Sequence, residues 1–530
     1  MTACAVGEWV ALPTGAAPLA SPSATSPRLP LEEFVQNSVL LAALRKGVRA
    51  MKQRKASDPL SWFYQAAIHG VTDDAIADAV KDDPGVVNVF KKRYWNQCPH
   101  DGENSANFLP WHRGYTHYFE DILRMHTEEP SFSLPYWNYT EKANRKFPRE
   151  YGIQHLDGNL SNETPDNINP LFHPQRDFYF TGYEHPFATG LPLLALSDDA
   201  VDISLPINSP VFFGETEREG LGGGIADEDP STRGLLESYP HDQIHRAVGG
   251  ILISPKGEEI AGAMATPPTA GFDPIFSVHH SNIDRLWAQW ACMPGKKWGK
   301  LPSAYWFNER PWFFFDTQGR VVNEPRKTYF DYRALGIRFK YEDANCEPLK
   351  LPVMGPSSAL EAGGGIVSLQ SLQTMPTRVT ALGAVRSIVP LPAAITQHFR
   401  TLAPSIRGAL DAARPFKRIS LRLVDVNLGG LTEAGFDLHV THAPQAPLHR
   451  NDPSFVGSIG LFVHADHHES AGRPETFDIS KAIAAIPPDA LAKASLVLAP
   501  YSLLQGAAGP ALSVAPRAVS IGSLELLTSQ

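Results

Sequence analysis

Between Asp273 and Trp290 the chain reads DPIFSVHHSNIDRLWAQW, and no other stretch constrains the fold as much. Asp273 suits an N-cap and Pro274 the first helical position, where a missing N–H costs nothing. Phe276, His280, Ile283 and Trp287 then recur at helical spacing along one face. A face this apolar is buried, so the imidazole on it is either a hydrogen-bonded core group or a metal ligand. The stripe alone does not decide which histidine matters, because Ile275, His279, Asn282 and Leu286 line a second face at the same spacing.

Other histidines favour the metal. In PHDQIH, His241 and His245 stand four residues apart on a short helix expected over about 240–248 and opened by Pro240. Both imidazoles then point the same way, a recurrent means of offering two nitrogens to one metal. Upstream, His69 closes the aromatic helix SWFYQAAIHG and His100 lies in CPHDGENSANFLPWHR. His112 begins a helical run from about Trp111 to His126, with Trp111, Tyr115, Tyr118, Ile122 and Met125 along one side. The histidines fall into two sets of three, one at 69, 100 and 112, the other at 241, 245 and 280. No Glu-x-x-His motif accompanies them, which argues against a carboxylate-bridged di-iron bundle. Purely imidazole coordination suits copper or zinc. A zinc hydrolase is disfavoured because no glutamate lies between His241 and His245 to act as base. Two such sites facing each other hold two coppers and leave room for dioxygen between them.

At 530 residues the chain exceeds one ordinary core. Residues 1–30 read as disordered, 31–345 as a mainly helical catalytic domain, 346–415 as a linker and 416–530 as a C-terminal β-domain. The linker reading rests on GPSSALEAGGG (355–365), and the β reading on short alternating runs such as ISLRLVDV, FDLHVTH and SLVLAPYSL. These runs predict an antiparallel sandwich or barrel. Residues 141–235 are loop-rich, with many Asn, Pro and Gly. A net charge of −9 with no long basic run argues against nucleic acid or an anionic membrane as partner. Residues 494–516 are uncharged, but their prolines disqualify them as a membrane span. Cys4, Cys98, Cys292 and Cys346 lie far apart without a CxxC pair, which suggests neither a disulfide framework nor a thiolate zinc site. That usage fits a reducing compartment, and without a recognisable signal peptide the expectation is a cytoplasmic protein, export by another route aside.

FLPWHRGY (108–115), PHDQIHRAVGG (240–250) and DPIFSVHHSNIDRLW (273–287) resemble the copper-binding signatures of the tyrosinase and polyphenol oxidase family, the type 3 copper proteins. SWFYQAAIHG and LPYWNYT match further family segments, so the resemblance covers about residues 30–345. It implies a four-helix bundle holding two copper ions, with O2 as co-substrate. Copper A would rest on His69, His100 and His112, and copper B on His241, His245 and His280. The family uses the second histidine of the HH pair, which leaves His279 a supporting role. A Cys-x-His pair forms a thioether in some relatives, which implies a Cys98–His100 cross-link. His100 and His112 are farther apart here than is usual in the family. Glu237 matches the glutamate that orients a water near the metals, Asp242 and Arg246 border the substrate entrance, and Phe276 lies where a bulky residue can gate copper B. Asp242 stands where many strong monophenolases have Asn. His117, His126, His464, His467 and His468 match no family role. DYRALGIRFKYED (331–343) resembles the segment closing the catalytic domain of plant polyphenol oxidases, with Phe339 and Tyr341 near its tyrosine pair. The tail resembles, more loosely, the plant C-terminal domain that can cover the site.

The resemblance thus implies an enzyme that hydroxylates monophenols to o-diphenols and oxidises these to o-quinones. The alternatives are a catechol or o-aminophenol oxidase without the first activity, or a haemocyanin-like oxygen carrier. Its partners would be small phenols and catechols, with a homo-oligomer allowed.

Overall fold

A computed structural model describes residues 26–90, 94–99, 105–182, 193–214, 220–224, 233–253, 259–331, 335, 341–347, 349–352, 369–382, 386–412, 418–426, 434–459, 475–505 and 518–529. The helices that frame its centre are α1 (Ser38–Lys52), α2 (Trp62–His69), α3 (Phe108–Thr127), α4 (Asp242–Gly249) and α5 (Ile275–Cys292). α1 starts where the Asn37 side chain accepts hydrogen bonds from the Val39 and Leu40 amides. Its buried Leu40, Leu44, Val48 and Met51 recur at helical spacing, and the helix packs on α3. Gly47 marks the closest approach, because a Cβ there would lie 2.8 Å from Leu123 Cδ1. α3 begins at Phe108, a turn earlier than expected, since Pro110 is tolerated in a first turn. His112 therefore sits in its second turn. Trp111, Tyr115, Tyr118 and Ile122 are buried as expected, but Met125, at the fraying end, is 40% exposed.

α5 runs from Ile275, whose amide donates to the Asp273 carboxylate at 3.0 Å. Asp273 is also paired with Arg176 at 2.6 Å, both buried. Residues 26–30 are ordered, contrary to expectation. Arg28 is buried, ion-paired with Glu120 and hydrogen-bonded to Tyr341 Oη at 2.6 Å. A buried Glu120 needs such a partner, and the ion pair fixes the irregular segment around Arg28 where it enters the core.

The cysteine reading is also corrected. Cys292 and Cys346 form a disulfide spanning 54 residues, with Cα atoms 5.7 Å apart. Tyr341 Oη donates towards Ser281 O and Asp284, each at 2.8 Å, and Arg285 pairs with Asp343 at 2.6 Å. These contacts lay the segment along α5 and bring Cys346 to the helix end, which residue spacing could not announce. The cysteine argument for a reducing compartment therefore falls.

The stretch 346–415 is not simply a linker. β2 (Leu369–Leu382), β3 (Ser387–Pro390) and α6 (Ala393–Asp411) belong to the C-terminal unit, while GPSSALEAGGG lies outside the described residues. Among the described residues the further strands there are β4 (Ile419–Val424), β5 (Ala434–Thr441), β6 (Phe455–Ile459), β7 (Glu475–Asp478), β8 (Ser495–Ser502), β9 (Leu504–Gln505) and β10 (Ala518–Ser529). Two antiparallel sheets run in the orders β7-β4-β10-β2 and β6-β5-β8-β3. Leu421, Leu423, Phe436, Leu438, Val440, Leu496 and Leu526 from both sheets share one apolar cluster. β2 escaped notice because Pro376 interrupts its alternation, and its register with β10 shifts near that residue.

This unit is joined to the helices. β9 pairs with β1 (Ala195–Leu196), and Tyr501, Leu503 and Leu504 enter the helical core. Among the described residues no helix is long and apolar enough to cross a membrane.

Candidate metal centre

Two groups of side chains converge between the helices. His241, His245, His279 and His280 form one, and His69, Cys98 and His112 the other, with ligand atoms within 4.8 Å inside each group. The groups face each other, since the His112 and His280 rings stack with centroids 4.3 Å apart. His100 lies outside the described residues, and so does a Cys98–His100 link. Cys98 itself is placed with Sγ 3.4 Å from His112 Nε2.

Backbone carbonyls set the ring orientations. His69 Nδ1–H donates to Pro267 O at 2.9 Å, His112 Nδ1–H to Phe108 O at 2.9 Å, and His245 Nδ1–H to Met264 O at 2.8 Å. A ring whose Nδ1 carries the proton presents a lone pair at Nε2, the form a metal requires. His241 lies just after a kink at Tyr239, whose backbone is extended (φ −141°, ψ 116°), so the helical run opens at Pro240 as expected and leads into α4 at Asp242. Its Nδ1 is hydrogen-bonded to Asp242 Oδ1 at 2.8 Å. On α5, His280 brings its Nε2 to 3.2 Å from His245 Nε2 and stacks on Phe276 with centroids 4.1 Å apart. His279 is hydrogen-bonded through Nδ1 to Tyr139 Oη at 3.2 Å and stacks on His241.

The environment keeps four of these rings, His112, His245, His279 and His280, neutral. Burial holds His112, His245 and His280 well below the ordinary histidine value, and neighbouring rings add to the effect, His69 on His112, His279 on His245 and His112 on His280. Burial likewise pushes His279 down to about 3, with His112 adding to the shift. Buried imidazoles, three of them with Nδ1 committed to a backbone carbonyl and His241 with Nδ1 on Asp242, fit a soft-to-borderline transition metal such as copper.

The other predicted residues surround this centre. Phe276 is buried, edge-on to His69 at 4.7 Å. A cavity lined by Trp62, Tyr115, Phe119, Asp273 and Phe276 has no histidine among the described residues of its wall. Glu237 and Asp242 are buried around Arg233, whose Nε lies 3.4 Å from Glu237 Oε1 and 3.3 Å from Asp242 Oδ2. Burial raises the Glu237 carboxyl well above its usual range, against the pull of Arg233. Burial likewise pushes Asp242 up to about 7, with Arg233 and Arg246 opposing. Arg246 is buried too, beside Asp242 and Tyr501. Sequence reasoning missed Arg233, although a cation one helical turn before Glu237 was a usable signal. His464, His467 and His468 lie outside the described residues.

The family model for the common central domain of tyrosinase matches residues 59–292. Tyrosinase HcTyr1 of Hahella sp. (strain CCB-MM4) is 30% identical over 438 residues, which cover 79% of this chain and 81% of that protein. Chloroplastic polyphenol oxidase of Malus domestica is 26% identical over 441 residues, 80% of this chain and 66% of that longer protein. The structure of latent apple tyrosinase aligns with a TM-score of 0.54 at 19% identity, covering 97% of this chain and 99% of that one.

Proposed function

The chain belongs to the tyrosinase family, and we propose that it is a phenol oxidase in which two copper ions sit between two imidazole trios. Copper A takes His69, His100 and His112, and copper B takes His241, His245 and His280. In this reading the helices form a four-helix bundle around the metals, and the C-terminal sheets form a sandwich that also covers the site. The observation that carries it is the apposition of His245 Nε2 and His280 Nε2 at 3.2 Å, with the His245 Nδ1 proton committed elsewhere.

Copper, when bound, supplies the electron transfer and the activation of O2. The protein supplies the setting. Buried, uncharged rings exclude water and hold the donor atoms in place. Asp242 orients His241 through the Nδ1 contact. The Glu237 carboxylate, paired with Arg233, holds a water and receives the proton of a phenol entering past Phe276. A monophenol is converted to an o-diphenol, and an o-diphenol to an o-quinone.

Asp242 supports a second reading, an oxidase of catechols or o-aminophenols that does not hydroxylate monophenols. Its carboxylate is turned to His241 and Arg233, so it is committed away from an incoming phenol. Oxygen uptake with a simple monophenol, a catechol and an o-aminophenol separates the two readings. Uptake with all three supports the first, and a silent monophenol supports the second. Reversible O2 binding with no quinone from any substrate overturns both in favour of an oxygen carrier.

A further inference from the structure

Gln243 lies on α4 between the two histidines proposed for copper B and is fully buried. Its side-chain carbonyl accepts a hydrogen bond from Tyr501 Oη at 2.9 Å, and Tyr501 belongs to β8 of the C-terminal unit. Two residues before His241, Tyr239 donates its hydroxyl to Ser458 Oγ of β6 at 2.6 Å. Ser458 Oγ donates in turn to Asp437 Oδ1 of β5 at 2.5 Å. The Arg450 guanidinium lies 4.9 Å from the Tyr239 ring centre and 4.5 Å from that of Tyr501. Arg450 is held by Asp437 at 2.9 Å and by Asp199 O at 2.8 Å.

The sheet gives up a side chain to make this possible. Gly435 is the β5 partner of Tyr501, and a Cβ on Gly435 would lie 2.3 Å from the Tyr501 ring. The tyrosine therefore lies across a bare strand position and reaches into the helical domain. A cover needs only to meet the rim of an opening. Here the polar contacts reach the backbone segment that carries the ligands, once before His241 and once between His241 and His245. A buried amide or phenol stripped of its partner is costly, so losing either contact drives the segment to rearrange.

We propose that the C-terminal sheets position the copper B ligands, with Tyr501 and Ser458 as positioning residues that keep His241 and His245 aligned with His280. This rests on the copper reading above. The test uses the full, copper-loaded chain and the variants Tyr501→Phe, Ser458→Ala and their combination. Ser197→Ala is the control, because its hydroxyl bonds Ser502 O in the same seam without touching α4. Copper per chain is followed during timed exposure to a competing chelator, with the EPR signal of uncoupled copper(II) and the thermal midpoint recorded in parallel. In the double variant one of the two coppers should leave about tenfold faster or more, a change of the size outer ligands cause. An uncoupled signal should appear while the second copper leaves at the wild-type rate, and Ser197→Ala should match wild type. Copper loss no faster than wild type, or equal loss in Ser197→Ala, overturns the proposal. A wild-type chain that never takes up two coppers overturns the copper reading and this proposal together, and is recognised before any variant is made.

Discussion

His245 and His280 meet Nε2 to Nε2 at 3.2 Å in a buried site. Because the His245 Nδ1 proton is bonded to Met264 O, its Nε2 offers a lone pair. At this distance the pair is held together by a proton on His280 Nε2 or by a cation lying between the two nitrogens. Imidazole nitrogens about 2.0–2.1 Å from one metal fall roughly 3.3 Å apart in a tetrahedral set, close to the spacing seen.

That spacing separates the adjacent histidines. His280→Ala should reduce copper from two ions to one and slow catechol oxidation well beyond the roughly 10–100-fold expected of an outer-shell change. His279→Ala removes a ring held by Tyr139 and should keep both coppers, with a loss of at most that size. Metal analysis and oxygen uptake on the two variants check this, and the reverse pattern would make His279 the ligand.

Asp242→Ala tests the orientation of His241. Without the Nδ1 contact the ring can turn, and copper B affinity should fall about 10–100-fold while copper A is retained. Competitive chelator titration reads the two sites separately. Equal weakening of both would mean that Asp242 serves the general packing around Arg233.

The divide between what the residues announced and what they concealed is physical. The convergence of His241 and His245 with the His279–His280 pair was legible because helical periodicity places side chains on faces, whereas the preference for His280 over His279 came only from the family resemblance. α5 was legible for the same reason, and the Asp273 carboxylate does accept from its first amide, although the helix starts at Ile275 with Pro274 at the cap position, one residue later than expected. Arg28, Cys346 and β2 were not, because each depends on a partner more than fifty residues away: Glu120, Cys292 and β10. The Tyr501 contact with Gln243 is equally silent in sequence, since a tyrosine in a strand reads as ordinary sheet packing.

Acid should expose the Asp273–Arg176 pair. Burial alone would raise the Asp273 carboxyl, but the charge of Arg176 and its hydrogen bonds outweigh that and hold it below 3.8. A carboxyl depressed in the folded state contributes stability that is fully present above its unfolded value and is lost as pH falls through the folded one. Asp273→Asn should therefore cost about 3–5 kcal/mol at neutral pH, since it leaves a buried guanidinium uncompensated. The gap to wild type should narrow as pH drops below about 4. Urea midpoints at neutral and acidic pH measure it, and a gap independent of pH would show that the carboxylate charge is not what stabilises the helix start.

The disulfide offers a test that leaves the ligands untouched. Closing 54 residues between Cys292 and Cys346 restricts the unfolded chain, worth about 4 kcal/mol on the chain-entropy account. Cys346→Ser, or reduction of wild type, should lower the unfolding free energy by up to that amount, read from denaturant curves with and without reductant. His280 lies three turns from the bridge on α5, and its neighbours His245, His112 and Phe276 come from contacts the bridge does not make. Copper content should consequently stay at its wild-type value in the folded variant. If copper falls in Cys346→Ser while the fold is retained, the docked segment around Tyr341 also fixes the rotation of α5, and the ligand geometry depends on a contact outside the metal centre.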